Sequence, residues 1–124
     1  MYLKPRYNPK LKRSRSKYGN KKTTIHGITF DSKWESERYL YLKSLEKAGR
    51  IKDLELQPRY NILVNDQKIC AYVADFKYNK ESADGIWEHI VEDAKGVETP
   101  EFKLKKKLMK AVFDIDIYLS KKNS

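Results

Sequence analysis

Two aspartates and a lysine carry the chemistry this chain could do. Asp75 follows the apolar run Tyr72-Val73-Ala74, and Asp93 and Lys95 end the run Ile90-Val91-Glu92 just before Gly96. Side chains alternate along a strand, so Asp93 and Lys95 point to one face with His89 and Val91, and Glu92 points to the other. Carboxylates out of water must be paired, neutralised or bound to a cation. If the two runs pair, Asp75 and Asp93 meet near their strand ends. Two carboxylates with a few waters suit Mg²⁺, a hard cation that seldom takes an all-protein cage, and the Ala94 carbonyl between them is a further oxygen. A cation held there lowers the pKa of a bound water and neutralises charge growing on a phosphate. Lys95 could orient that water or stabilise the pentacovalent transition state. The plain alternative is a salt-bridge set on a strand edge.

An acid two residues before a lysine is not a rare pattern here, so context must choose. Asp31-Ser32-Lys33 and Glu101-Phe102-Lys103 fall at helix starts, and Asp66-Gln67-Lys68 falls in a turn. Asp75-Phe76-Lys77 lies on a strand but has no acid partner on an earlier one. Only Asp93-Ala94-Lys95 has an apolar run before it, a glycine after it and an aspartate on the preceding strand.

The elements that must position these residues are legible in outline. Ile25 to Phe30 reads as a short strand or extended lead-in. Ser32 to Ala48 reads as a helix, with Trp34, Arg38, Tyr41, Leu42, Leu45 and Ala48 on one face. Asp31 or Ser32 caps its start and Gly49 ends it. Ile51 to Leu56 and Tyr60 to Val64 are extended segments split by Gln57-Pro58, and Asn65-Asp66 is a turn signal. Ile69 to Tyr78 and Trp87 to Lys95 read as strands. Thr99-Pro100 opens a second helix to about Phe113, with Leu104, Leu108, Ala111 and Val112 as its apolar stripe. Ile115 to Leu119 alternates as a last strand. Helix, three or four strands, helix, strand implies an α/β fold with a mixed central β-sheet flanked by helices.

Composition narrows the partner. The chain has 124 residues, enough for one modest core. Its net charge is +10, and nine of its cations lie at Lys4, Arg6, Lys10, Lys12, Arg13, Arg15, Lys17, Lys21 and Lys22, ahead of the first acid at Asp31. Residues 1–24 therefore read as a flexible basic arm and 25–124 as the folded domain. A cationic arm suits DNA or another polyanion, because phosphate contacts release counterions; Tyr2, Tyr7 and Tyr18 could stack on bases. The alternative is a solvated tail. In the second helix, Lys103 and Lys106 could also touch phosphates, or belong to a solvated face with Lys105, Lys107 and Lys110. No run approaches the length of a membrane span and no signal peptide is visible, so membrane partners are not expected. The lone Cys70 cannot form an internal disulfide, which fits a cytoplasmic, reducing home, and it reads as a small core residue. His26 and His89 lack zinc-ligand spacing.

Taken together, Phe30-Asp31-Ser32-Lys33-Trp34-Glu35, Ala74-Asp75-Phe76 and Glu92-Asp93-Ala94-Lys95-Gly96 resemble the PD-(D/E)XK nuclease superfamily, which has the restriction-endonuclease-like fold (αβββαβ). Gln57-Pro58 is similar to the Q-P step of transposon-end endonucleases in that superfamily. The combination also looks like a family of small basic phage proteins of poorly defined role. The similarity spans about residues 25–119 and leaves the arm outside. It implies a Mg²⁺-dependent DNA endonuclease, with Mn²⁺ as a substitute, acting in phage recombination or junction resolution and located in the host cytoplasm. By this resemblance Asp75 and Asp93 bind metal, Lys95 is the catalytic lysine, Glu35 is the helix acid that reaches metal directly or through water, and Gln57 supports the site. Ala74 stands where the superfamily has proline. Glu35 has a second explanation, because Ser32-x-x-Glu35 is a capping box; Glu37 is the fallback acid on another helix face. Cutting both strands needs two sites, so a homodimer is compatible. A non-catalytic nucleic-acid binder, or a nuclease fold that binds metal without cutting, are the competing functions.

Overall fold

The computed structural model describes residues 22–95 and 97–121. Lys10, Lys12, Arg13, Arg15, Lys17 and Lys21 of the expected arm lie outside the described residues. The described residues open with a hairpin of β1 (Thr23–Ile25) and β2 (Ile28–Phe30), turned by His26 and Gly27 in left-handed conformations. Helix α1 (Lys33–Lys47) follows, with the Ser32 hydroxyl accepting from the Glu35 N–H at its N-cap. Strands β3 (Ile51–Leu56), β6 (Phe76–Glu81), β7 (Trp87–Asp93) and β8 (Ile117–Leu119) form a four-stranded sheet in the order β3-β6-β7-β8. Its first two pairings are antiparallel, and β7–β8 is parallel across helix α2 (Pro100–Phe113). Strands β4 (Arg59–Val64) and β5 (Gln67–Val73) make a separate two-stranded ribbon. The described residues thus form a mixed α/β fold with a mixed sheet and two helices, and five strands, not three or four, run between those helices.

The expected single strand Ile69 to Tyr78 is two strands that serve different sheets. Ala74 donates to the Pro58 carbonyl (3.1 Å) and Gln57 donates to the Asp75 carbonyl (3.0 Å), so both chains cross from ribbon to main sheet side by side. The physical cause is at Gln57-Pro58. Gln57 adopts φ 52° and Pro58 has no N–H to extend a ladder, which breaks β3 from β4 and forces the matching break at Ala74-Asp75.

Two apolar clusters lie on opposite faces of the sheet. Phe30, Tyr39, Leu42, Ile51, Phe76 and Tyr78 pack beneath α1, and Ile62, Tyr72, Ala74, Val91, Phe102, Met109 and Ile117 pack beneath α2 and the ribbon. Period-two alternation assigns the faces: Phe76 pairs with Glu92 and Lys77 with Val91, so neighbours in β7 serve different clusters. Each expected helix stripe is only partly the buried one: Leu42 and Leu45 of the first and Leu108 of the second face the core. In α1 the buried residues are Glu35, Ser36, Tyr39 and Leu42, while Tyr41 is half exposed, because Tyr39 packs against Phe30 of the hairpin. In α2 the buried residues are Phe102 and Met109, with Leu108 packed against them and Leu104 exposed. A seven-residue spacing places Phe102 and Met109 on one line facing the sheet.

Candidate active site

The site begins at the C-terminal end of β7. Asp75 precedes β6 and donates its N–H to the Glu92 carbonyl (3.1 Å), which extends the β6–β7 register and brings Asp75 opposite Asp93. Its Oδ2 accepts from the Ala94 N–H at 2.8 Å. The two carboxylates are near enough that, beyond burial, the charge of Asp93 raises the Asp75 carboxyl. The parallel neighbour adds a lock, since Ser120 donates its N–H to the Asp93 carbonyl (3.0 Å) and accepts from Trp34 Nε1 (2.9 Å) on its own carbonyl. That chain of bonds fixes the first turn of α1 over the strand ends, which is how Glu35 arrives beside Asp93 although α1 packs on the opposite face of the sheet.

Asp93 is buried at 2% exposure. Its Oδ2 accepts from the Tyr72 hydroxyl. Its Oδ1 is buried with no hydrogen-bond partner; the Lys95 ammonium lies 3.4 Å from it as an ion pair without hydrogen-bond geometry. Lys95 is about one-third exposed and sits 4.9 Å from the centroid of the Phe102 ring, where the π-face favours a cation.

The electrostatics follow from crowding acids in a dry place. Burial, then repulsion from Asp93 and Glu35, pushes Asp75 up to about 8, against the pull of the Ala94 N–H. Burial, then Asp31 and Asp93, pushes Glu35 up to about 7, with Lys95 and a backbone bond at Asp31 opposing. The Tyr72 hydroxyl is held far above the ordinary phenol range, first by burial and then by the charge of Asp93, so it remains a donor.

Asp75, Asp93, Lys95 and Glu35 are thus neighbours. Gln57 has an exposed side chain and reaches the site through its N–H on Asp75. Lys22 and Lys103 are exposed and Lys106 is half buried. The other acid-x-lysine triplets go elsewhere: Lys77 pairs with Glu55 (3.4 Å) and Asp66 turns the β4–β5 hairpin. Cys70 packs against the second cluster, Trp34 is half buried, and Trp87 carries Lys52 over its ring at 4.1 Å. Among the described residues, no three or more His, Cys, Asp or Glu side chains form a ready metal cage. The donor set present is smaller: the neighbouring carboxylates of Asp75 and Asp93, with one Asp93 oxygen buried without a donor. Such a set fits magnesium, which keeps several waters and binds through one or two carboxylates.

Sequence reasoning missed two features. The Tyr72 hydroxyl on Asp93 had no visible signal beyond a tyrosine in an apolar strand. On the opposite face, Glu92 is fully buried and is clasped by Arg38 through Nε (2.7 Å) and Nη2 (2.8 Å), with Tyr78 donating at 2.7 Å. An acid inside the apolar run of β7 was its signal.

Residues 15–122 match the model of the family described as "Protein of unknown function (DUF1064)", and the chain belongs to that family. The match covers both helices and every strand of the described residues. No curated protein and no solved structure matches the chain.

Proposed function

We propose that this protein is a Mg²⁺-dependent DNA endonuclease of restriction-endonuclease-like architecture, with Mn²⁺ as a workable substitute. One observation carries the reading: Asp93 is buried beside Asp75 and Glu35 with one carboxylate oxygen lacking any hydrogen-bond donor, and Lys95 stands over that oxygen. A fold that only needed a buried acid there would satisfy it. Asp93 and Asp75 are the residues that would hold the cation, with Glu35 reaching it directly or through a water. When bound, the cation would supply charge neutralisation for the phosphate and an acidified water.

The chain's own groups do the rest. Lys95, cationic and partly open to solvent, hydrogen-bonds the attacking water or the phosphate oxygens as their charge grows. Lys22 and Lys103 are exposed for phosphate contact, and the cations ahead of residue 22 add a sequence-independent attraction for DNA. The lone Cys70 fits action in a reducing cytoplasm.

Plasmid, nicked, flap and four-way DNA substrates, each with and without Mg²⁺, test the reading. Wild type cuts at least one of them only with the metal, and Asp93→Asn retains salt-sensitive DNA binding while cutting nothing. Cutting that persists undiminished in Asp93→Asn and Asp75→Asn sinks the proposal. A second reading, a non-catalytic nucleic-acid binder, is favoured by the nine cations ahead of Asp31. It predicts DNA binding with no saturable Mg²⁺ binding in the free protein.

A further inference from the structure

We propose that Tyr72 is a positioning residue for the metal-binding carboxylate, its hydroxyl holding Asp93 Oδ2 so that Oδ1 alone faces the cation and Lys95. This inference rests on the proposed metal site and assigns the group that aims it.

Tyr72 is 4% exposed and sits in β5, on the ribbon and not on the sheet that carries Asp93. Its hydroxyl therefore reaches from one sheet to the other, onto Asp93 Oδ2. Asp93 has its carbonyl fixed by Ser120, so the remaining freedom of the residue is rotation of its carboxylate. A donor on one oxygen removes that rotation and fixes where the second oxygen points. The second oxygen is the one that has no donor and lies 3.4 Å from Lys95. Partners behind a ligating carboxylate orient it and tune its basicity.

The neighbours of Tyr72 support the same assignment. Its ring lies 6.3 Å from that of Phe102, and Phe102 carries the Lys95 ammonium over its own face at 4.9 Å. One aromatic side chain of α2 thus braces both the group that holds Asp93 and the group that pairs with it. A tyrosine retained only for packing would do as well without its hydroxyl, and the hydroxyl is what Tyr72→Phe removes.

Calorimetry with Mg²⁺ alone, on the full-length protein without DNA, is the decisive measurement. Tyr72→Phe should weaken Mg²⁺ affinity by about 10–100-fold, leave salt-dependent DNA affinity unchanged, and keep a cooperative thermal transition. Cleavage by the variant at saturating Mg²⁺ should return to within about threefold of wild type, because added metal compensates for a misaimed ligand and cannot repair a damaged fold. Phe102→Leu is the second variant: Mg²⁺ affinity weakens and cleavage stays about tenfold low even at saturating Mg²⁺, since the ring both braces Tyr72 and seats Lys95. Wild-type Mg²⁺ affinity in Tyr72→Phe, with affinity lost in Asp93→Asn, overturns the assignment of Tyr72 and leaves the metal site standing. A Tyr72→Phe defect in cleavage that saturating Mg²⁺ does not restore also overturns it. Absence of saturable Mg²⁺ binding in wild type overturns the metal reading and this assignment together.

Discussion

Glu92 and Asp93 are consecutive, both buried, and on opposite faces of β7, yet the molecule treats their charges in opposite ways. Glu92 has every need met: Arg38 takes both of its oxygens and Tyr78 adds a third bond. Asp93 has one oxygen held by Tyr72 and the other left without a donor, beside Asp75 and Glu35, whose carboxyls burial and the charge of Asp93 push up. A buried charge that is fully paired belongs to the architecture. It joins α1 to the sheet and asks nothing of a ligand. A buried charge left half paired, in a crowd of like charge, is a place where something else completes the coordination. The contrast across a single peptide bond is a sharper functional signal than the presence of either acid.

The largest expected effect breaks the paired region. Glu92→Ala strands the Arg38 guanidinium, whose side chain is 14% exposed, and should cost about 3–5 kcal/mol in denaturant unfolding. Asp93→Asn should stay within about 1 kcal/mol of wild type in the metal-free protein. Equal losses in the two variants would erase the distinction. Next in size are the two tyrosines. Tyr78→Phe removes a bond to a charged group and should cost about 1.5–3 kcal/mol with Mg²⁺ affinity unchanged, whereas Tyr72→Phe should register in the affinity. A Tyr78→Phe protein with weakened Mg²⁺ binding would show the two faces to be coupled.

A smaller effect separates the regions by pH. Asp75 has a carboxyl raised from 3.8 to about 8, so the folded state binds more protons than the unfolded chain between those values. Stability from this group is present below about pH 4 and is lost as pH rises through about 8 in metal-free protein. Asp75→Asn should flatten that part of the pH–stability curve. Mg²⁺ requires the ionised carboxylates, so its binding near pH 7 should release about one proton, read from binding heats in buffers of different ionisation enthalpy. Zero proton release would count against Asp75 as a ligand. The smallest effect concerns DNA. Lys103→Ala should lower affinity evenly across sequences and reduce the salt slope by about one unit; an unchanged slope would make Lys103 a solvated surface cation only.

Much of the frame was readable beforehand. The caps at Ser32 and Thr99, the turn at Asn65-Asp66 and the strand from Trp87, expected to Lys95 and ending at Asp93, are local signals. They rest on which backbone groups a side chain can satisfy and on glycine, proline and polar residues at particular positions. The helix faces are legible only in part, at Leu42, Leu45 and Leu108, because the rest of the buried line depends on what packs against it. Tyr39 turns inward for Phe30, and Phe102 for Tyr72, and no periodicity within one helix contains that information.

The sequence by itself determined that Glu92 and Asp93 take opposite faces, because alternation along a strand is a property of the backbone; Lys95, past the end of β7, is brought beside Asp93 by the tertiary structure. Only the tertiary structure decided that Asp75 lies opposite Asp93, that Trp34 and Ser120 bring Glu35 over from the far face, and that Arg38 and Tyr78 quench one acid while Tyr72 leaves its neighbour half free. Those contacts join residues 14 to 86 positions apart, and their geometry is fixed by how sheet, ribbon and helices pack. Local residue preferences do not extend that far.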